Sequence, residues 1–564
     1  MTEEKTPKKK KGSKIAEMKK PLIISGLIFS IALTGIIIGF NINSKTTQSG
    51  GVLYFLGYGF PYTLDPIDVM DLADGDIINQ VAEGLFDLDV NLELIHCLAT
   101  DHEWSTDGLN LTCTLRQRVE FHDGTPFNAA AVKWNFDRTY RLLDKIMFSF
   151  LWLLPDNRPI INETQVLDEY TVKFILNAPY SPLLALFAST FSCIVSPTST
   201  PADDLISSGS GELVGTGPFI FDSFTTNNIT LSANPHYWGG KPKIAKLIVF
   251  NSINSASALK DSLLAGEIHV KKAVKFNEST LNFFRNNHNF TVSEPINEPF
   301  LDFIVMNNKL INITMRRAIS YAINYSNYVY NNRYIQAKGP IPESILYYNI
   351  TGIDVPYYNI SAARRILKDG NWPGTDQLTV NNNISAGNEW ELLANSSTPL
   401  AIYNYSACSN WPRSIWYADP IIEDLKQIGV KIEPFNLSIS EWLFIYYEWG
   451  GYNRNMIGLF FNFWIADYND PSTFITEFYT NKKLGDNVGQ VNDTIVQEWL
   501  EEGLRERDAT VRRQLYYKIQ KRLIEDVCPN IWLNSRTRVD IYVSNLKDWY
   551  PHPFKDTLKL VSFV

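Results

Sequence analysis

FFNFWIADYNDPSTF, residues 460–474, begins as an apolar aromatic run and, without leaving it, presents Asp467 just behind Trp464. An isolated ionised acid is costly to bury, so this carboxylate is either paired inside the protein or awaits a positive charge from outside. The run reads as a buried strand, and Asp470 reads as the cap of a helix that begins at Pro471-Ser472. Upstream, DPIIEDLKQIGVKIEPF, residues 419–435, reads as a helix, a glycine stop and a strand. Nearer the N-terminus VLYFLGYG, residues 52–59, reads as a strand and DIINQVAEGLFDL, residues 76–88, as a helix. LNLTCTLRQRVEF, residues 109–121, alternates like a strand and closes on the turn His122-Asp123-Gly124-Thr125-Pro126. NAAAVKWNFDRTYRLL, residues 128–143, is then a helix capped by Asn128. AKLIVFNSI adds a strand; SASALKDSLLAGEI, MRRAISYAIN and ISAARRILKDG add helices, the first stopped at Gly266 and the last at Gly370. The alternation describes an α/β protein with more than one sheet.

The chain has 564 residues, 45% apolar and 20% charged, which is globular composition with length for two or three lobes of core. A net charge of −9 with no basic run outside the N-terminus excludes a nucleic-acid surface. The first fifty residues differ from the rest. Lysines crowd KTPKKKKGSKIAEMKK, residues 5–20, ahead of PLIISGLIFSIALTGIIIGF, residues 21–40, which carries no charge. At about 1.5 Å rise per residue such a stretch spans roughly 30 Å, the thickness of a bilayer core. A cleaved signal peptide has a shorter apolar core and a small-residue exit, so residues 21–40 read as an uncut anchor. Lysines on its N-terminal side make residues 1–20 a cytoplasmic tail, residues 41–51 a polar linker, and everything beyond extracytoplasmic. Fourteen N-x-S/T sequons, among them Asn110, Asn162, Asn228, Asn289, Asn349, Asn383, Asn436 and Asn492, suit that orientation and a glycoprotein. The five cysteines form no C-x-x-C pair; Cys97 and Cys113 flank the hairpin turn at Ser105-Thr106-Asp107-Gly108 and are candidates for a disulfide.

Catalytic constellations are missing from the sequence. The seven histidines are scattered without H-E-x-x-H, and neither G-x-S-x-G nor G-x-x-x-x-G-K-[ST] occurs. Gly215-Thr216-Gly217-Pro218 is glycine-rich, but Pro218 removes a donor where a phosphate cradle needs one. The acids Asp68, Asp71, Asp74 and Asp76 miss the spacing of a calcium loop and read as a solvated start of a helix. No cofactor or metal is indicated.

The order of phrases resembles a known family. TLDPIDV, VAEGLFDLD, LRQRVEFHDGTPFNAAAVKWNFDR, GTGPFIFDSF, ITLSANPHYWGGKPKIAKLIV, SLLAGEI, MRRAISYAIN, AARRILKDG, LKQIGVKIE and FWIADYNDP occur in the order found in extracytoplasmic solute-binding proteins of family 5, the oligopeptide and dipeptide receptors of ABC importers. The resemblance runs from about residue 52 to the C-terminus. It implies a type II periplasmic-binding-protein fold, two lobes joined by crossing strands with an extra subdomain, closing on ligand about a hinge. The division it implies is residues 52–75, 210–312 and 530–564 for lobe I, 76–209 for the extra subdomain and 313–529 for lobe II. It also implies a monomer, not an enzyme, that captures short peptides for a permease with separate ATPase subunits.

In peptide-binding members the Asp of the W-x-A-D-Y-x-D/E-P phrase meets the peptide's α-ammonium group, and that position here is Asp467. The resemblance likewise implies that Trp464 and Trp442 line side-chain pockets, where flat aromatic faces accept many side chains. Glu83 in VAEGLF and Asn307 in VMNN sit on phrases that border the family's cleft. Three departures stand out. Phe461 replaces an arginine that in some relatives meets the ligand carboxylate; the usual G-E-I-D reads Gly266-Glu267-Ile268-His269; and a proline and an Asp are missing from NNKLINITMRRA. Some relatives bind oligosaccharides or nickel complexes instead. Asp467 favours a cationic ligand over a sugar, whereas fourteen tryptophans suit sugar stacking.

Overall fold

A computed structural model of the chain describes residues 51–207, 213–250, 253, 255–273, 275–329, 333–446, 457–480, 487–556 and 558–564. The basic tail, the anchor and all but the last residue of the linker lie outside the described residues. Among the described residues no helix is long and apolar enough to cross a membrane.

Three sheets organise the body. A seven-stranded sheet runs in the order Phe290–Val292, Ile541–Val543, Val270–Lys271, Val52–Leu56, Lys246–Phe250, Asn228–Ala233, Phe219–Phe224. A six-stranded sheet runs Tyr334–Gln336, Asn530–Arg538, Ile296–Met306, Leu459–Ile465, Ala401–Cys408, Val430–Leu437. A four-stranded antiparallel sheet, Ala99–Trp104, Asn110–Leu115, Thr171–Leu176 and Ile161–Asp168, is covered by the helix Ala129–Arg141. Phe136 of that helix packs within 4.8 Å of the Phe174 ring and 4.9 Å of Phe187. The helix starts where expected, with the Asn128 side chain accepting from Ala131 N.

The chain passes from the first sheet to the second at residues 293–295 and returns at 539–540. Strands Ile296–Met306 and Asn530–Arg538, expected in lobe I, therefore pair within the second sheet. Ser293 N donates to Asp540 O, and Asp540 N donates to Ser293 Oγ, each at 2.9 Å, so the two crossings hold each other. Beneath them lies a buried ionic cluster. Arg538 pairs with Asp540 at 2.6 Å and Asp556 at 2.8 Å; Lys272 pairs with Asp556 and Asp76. Each charge there has a partner, which is the condition under which buried ions persist.

Two local expectations are corrected. The helix expected over 76–88 occupies Leu72–Val81, and Phe86–Leu88 is a strand. Asp71 caps this helix through a reciprocal capping box with Asp74, and Asp74 and Asp76 are buried, so the acidic run is not a solvated surface. Asp74 accepts from the backbone N–H groups of Tyr62, Thr63, Met70 and Asp71, and Asp76 takes Lys272. The glycines of Gly215-Thr216-Gly217 answer a packing need: a Cβ on Gly215 would lie 2.2 Å from the Val81 carbonyl oxygen. Several sequons also have a structural cause. Asn277, Asn312, Asn324 and Asn359 are N-caps whose side chains accept from the backbone at Thr280, Met315, Ser326 and Ala362. At helix starts, an Asn followed by Ser or Thr reflects capping chemistry.

Candidate functional site

Strand Leu459–Ile465 lies antiparallel to Ile296–Met306, with Trp464 opposite Leu301 and Ile465 opposite Phe300. Its pairing ends when Ala466 N donates to Pro299 O, and helix Ser472–Tyr479 follows. Between them stand the two aspartates of the opening stretch, and they have opposite fates. Asp470 is buried and forms a bidentate pair with Arg512, at 2.8 and 3.1 Å. It also accepts from Ser472 N at 3.0 Å, the expected service to the helix start.

Asp467 has no ion-pair partner among the described residues. Its Oδ2 accepts from Thr473 Oγ1 at 2.7 Å, and its own N–H donates back to that hydroxyl at 3.3 Å. Thr473 Oγ1 in turn accepts from Trp464 Nε1 at 3.4 Å, so the helix fixes both the acid and the indole. Burial pushes the Asp467 carboxyl up to about 7; the Thr473 bond opposes the rise and the charge of Glu477 adds to it. An acid held in this way is stabilised by a cation delivered to it.

Asp467 faces a cavity of about 270 Å³. Its lining includes Trp411, Trp442, Phe463, Trp464 and Pro299 together with Val69, Met70, Asp71, Phe148, Phe191 and Phe554. Trp464 meets the Phe148 and Phe150 rings at 6.3 and 6.2 Å. Trp442 packs at 4.6 Å against Trp411, with its Nε1 donating to Phe461 O at 3.3 Å. Beside Phe463 stand two guanidinium groups, each with a carboxylate partner, Arg536 reaching Glu298 at 3.5 Å. The Arg413 guanidinium lies over Phe300 and Phe463 while pairing with buried Asp302 at 2.8 Å, and Arg536 lies 3.9 Å from the Phe300 ring centre. Burial, then the charges of Arg333, Arg536 and Arg413, lower the Lys275 pKa, as expected where cations gather.

The structure brings Asp467, Trp464 and Trp442 together at this cavity. Glu83 and Asn307 are not among its lining. The Glu83 carboxylate is buried elsewhere and accepts from Tyr237 Oη, Trp238 Nε1 and Thr216 Oγ1 at 2.6, 2.8 and 2.9 Å. Asn307 ties a turn: its Nδ2 donates to Ile457 O and its Oδ1 accepts from Lys309 N. The expected Cys97–Cys113 bridge is not made. Both are buried thiols, and Cys113 lies opposite His102, five residues along the chain from Cys97. Asp71 and Trp411 are additions to the expected set. Only the tertiary fold gathers them here.

The chain matches the family described as bacterial extracellular solute-binding proteins, family 5, over residues 93–486. It is 25% identical over 535 residues to the glutathione-binding protein GsiB of Pectobacterium atrosepticum, covering 88% of this chain and 90% of that one. It is also 25% identical over 515 residues to GsiB of Escherichia coli strain K12, covering 87% and 90%. Among solved structures it is similar to HbpA2 of Haemophilus parasuis, with TM-score 0.74 and 23% identity over 91% of this chain and 100% of that one. It is also similar to the ABC transporter-associated periplasmic binding protein DppA of Helicobacter pylori in complex with the peptide STSA, with TM-score 0.69 and 23% identity over 92% and 98%. The crossings at 293–295 and 539–540, the added four-stranded sheet and the match across most of the body have one reading: the chain belongs to the bacterial extracellular solute-binding proteins, family 5, and is a receptor of the ABC-importer class, not an enzyme.

Proposed function

We propose that this protein is a membrane-tethered receptor that captures short peptides by their α-ammonium group and delivers them to an ABC permease with separate ATPase subunits. The observation that carries this reading is Asp467, an acid without an ion-pair partner among the described residues, on the wall of an aromatic cavity. The names of the relatives, which refer to glutathione and to a bound peptide, support the same ligand class. Closure about the crossings at 293–295 and 539–540 would enclose the ligand, with Trp442 and Trp464 receiving side chains.

Trialanine and similar peptides with neutral side chains test the reading through thermal melts. A ligand at a hundredfold excess over Kd stabilises by roughly 2.7 kcal/mol. Because Asp467 must ionise to bind an ammonium, trialanine affinity falls roughly twentyfold as pH drops from 7.5 to 5.5. The three indoles at the cavity support a second reading, an oligosaccharide receptor on the same fold. Cello-oligosaccharides raising the melting temperature where no di- to octapeptide does would establish it instead.

The tether rests on residues 5–40. The mature chain is expected to keep its N-terminus and to stay with membranes through alkaline washing, while protease added to intact cells removes the body. A soluble chain beginning near residue 41 would end the anchor reading. A chain starting at Gly50 is expected to be a soluble monomer.

A further inference from the structure

We propose that Asp71 is a second cation contact in the same cavity, so that the preferred peptides carry a lysine or arginine side chain in addition to their α-ammonium group. The proposal rests on the peptide reading above and deepens it. Asp71 lines the same cavity as Trp411, Phe463 and Asp467, on a different segment of the chain from Asp467. Its Oδ1 accepts from Ala73 N at 2.7 Å and Asp74 N at 3.2 Å, and no donor among the described residues reaches Oδ2. No Lys, Arg or His among them pairs with it.

The neighbouring charges decide whether a cation is welcome there. A helix N-terminus carries roughly half a positive charge, which opposes one. Against it stand Asp71 itself, Asp74 and Asp68, none of which has a cationic partner among the described residues. The N–H groups of Ala73 and Asp74 are already spent on Asp71, so the negative side prevails. The remaining acids nearby are neutralised, Asp65 by Arg138 and Asp76 by Lys272. Lys555 also lines the cavity, but its ammonium group is taken by Asp87 at 2.6 Å and Ala188 O at 3.2 Å. Burial, and then the Asp74 charge, push the Asp71 carboxyl up to about 6, a strain that a ligand cation relieves. The lining that the two acids share is rich in aromatic rings, which suits the alkyl stem of Lys or Arg and the face of a guanidinium.

The test is calorimetric titration of wild type and Asp71→Asn with tripeptides in which Lys or uncharged norleucine replaces one Ala of trialanine at each position in turn. Wild type is expected to bind the Lys peptide at one position at least roughly tenfold tighter than its norleucine counterpart. Asp71→Asn should bring that ratio to about one. Asparagine keeps the helix cap, and Asp71→Ser, also a capping residue, repeats the experiment if Asn perturbs the fold. Equal binding of Lys and norleucine peptides to wild type, or a preference that survives both variants, would overturn the role of Asp71 and leave the peptide reading intact. Failure of every tripeptide to bind wild type would overturn both.

Discussion

Replacing Asp467 with asparagine is expected to weaken binding of peptides with a free N-terminus by roughly thirty- to several-thousandfold. Asn keeps the size and the bond from Thr473 but removes the charge, leaving the ligand ammonium desolvated and unpaired, a loss of about 2–5 kcal/mol. N-acetylated peptides should bind wild type as poorly as free peptides bind the variant. The two defects should not add, since both delete one interaction. The empty protein supplies the second half of the argument. With its pKa raised to about 7, Asp467 in the folded state holds a proton that the unfolded chain gives up near pH 4. Stability therefore falls through this group as pH rises from about 4 to 7, and the Asn variant escapes that loss. Empty Asp467→Asn should melt no lower than wild type at pH 5 and higher at pH 8. Full-strength binding of an acetylated peptide, or a variant that melts lower at pH 8, would return Asp467 to a structural role.

How far the sequence could be read depended on the distance over which each feature is decided. The anomaly at Asp467 is legible because it is local: an acid attached to an aromatic run shows in a few letters, whatever surrounds it; a pocket role for Trp464 is implied only by the family resemblance. The helix caps at Asn128 and Asn359 were legible for the same reason. The end of the helix at Val81 was not, because the apolar spacing of VAEGLF fits helix and strand alike. Gly84 decides it by lying where a Cβ would sit 2.6 Å from Phe187 O, a contact set from a hundred residues away. Glu83 shows the same limit at the site. The family resemblance puts VAEGLF at a cleft, yet the three donors that fill the Glu83 carboxylate come from Thr216, Tyr237 and Trp238, more than 130 residues downstream. Asp71 reads in the sequence as part of a solvated helix entry; it caps the helix, and its place in the cavity lining belongs to the fold.

Three residues beyond Asp467, the same substitution should have the opposite result. Asp470→Asn removes the charge that meets Arg512, whose guanidinium is almost wholly buried and also donates to Gly503 O at 2.7 Å. Ion pairing with Asp470 offsets the burial of that guanidinium, and Arg512 holds its proton more firmly than an ordinary arginine. Neutralising Asp470 leaves a positive charge in a low-dielectric interior where deprotonation is no escape, because guanidinium stays protonated at any working pH. Breaking one side of a buried pair typically costs about 3–5 kcal/mol. Asn at 470 can still accept from Ser472 N, so the loss reports the ion pair and not the helix start. Denaturant titration of the empty protein at pH 7.5 should give a midpoint well below wild type for Asp470→Asn, and at or above it for Asp467→Asn. Replacing both partners with apolar residues of similar volume, Asp470→Leu with Arg512→Met, should recover most of the deficit, since the cost is the orphaned charge and not the absence of the pair. Two aspartates in one fifteen-residue stretch then separate by a single measurement: the one that holds the fold together destabilises it when neutralised, and the one that waits for a ligand does not. Equal destabilisation by the two variants would mean that Asp467 has an internal cation after all.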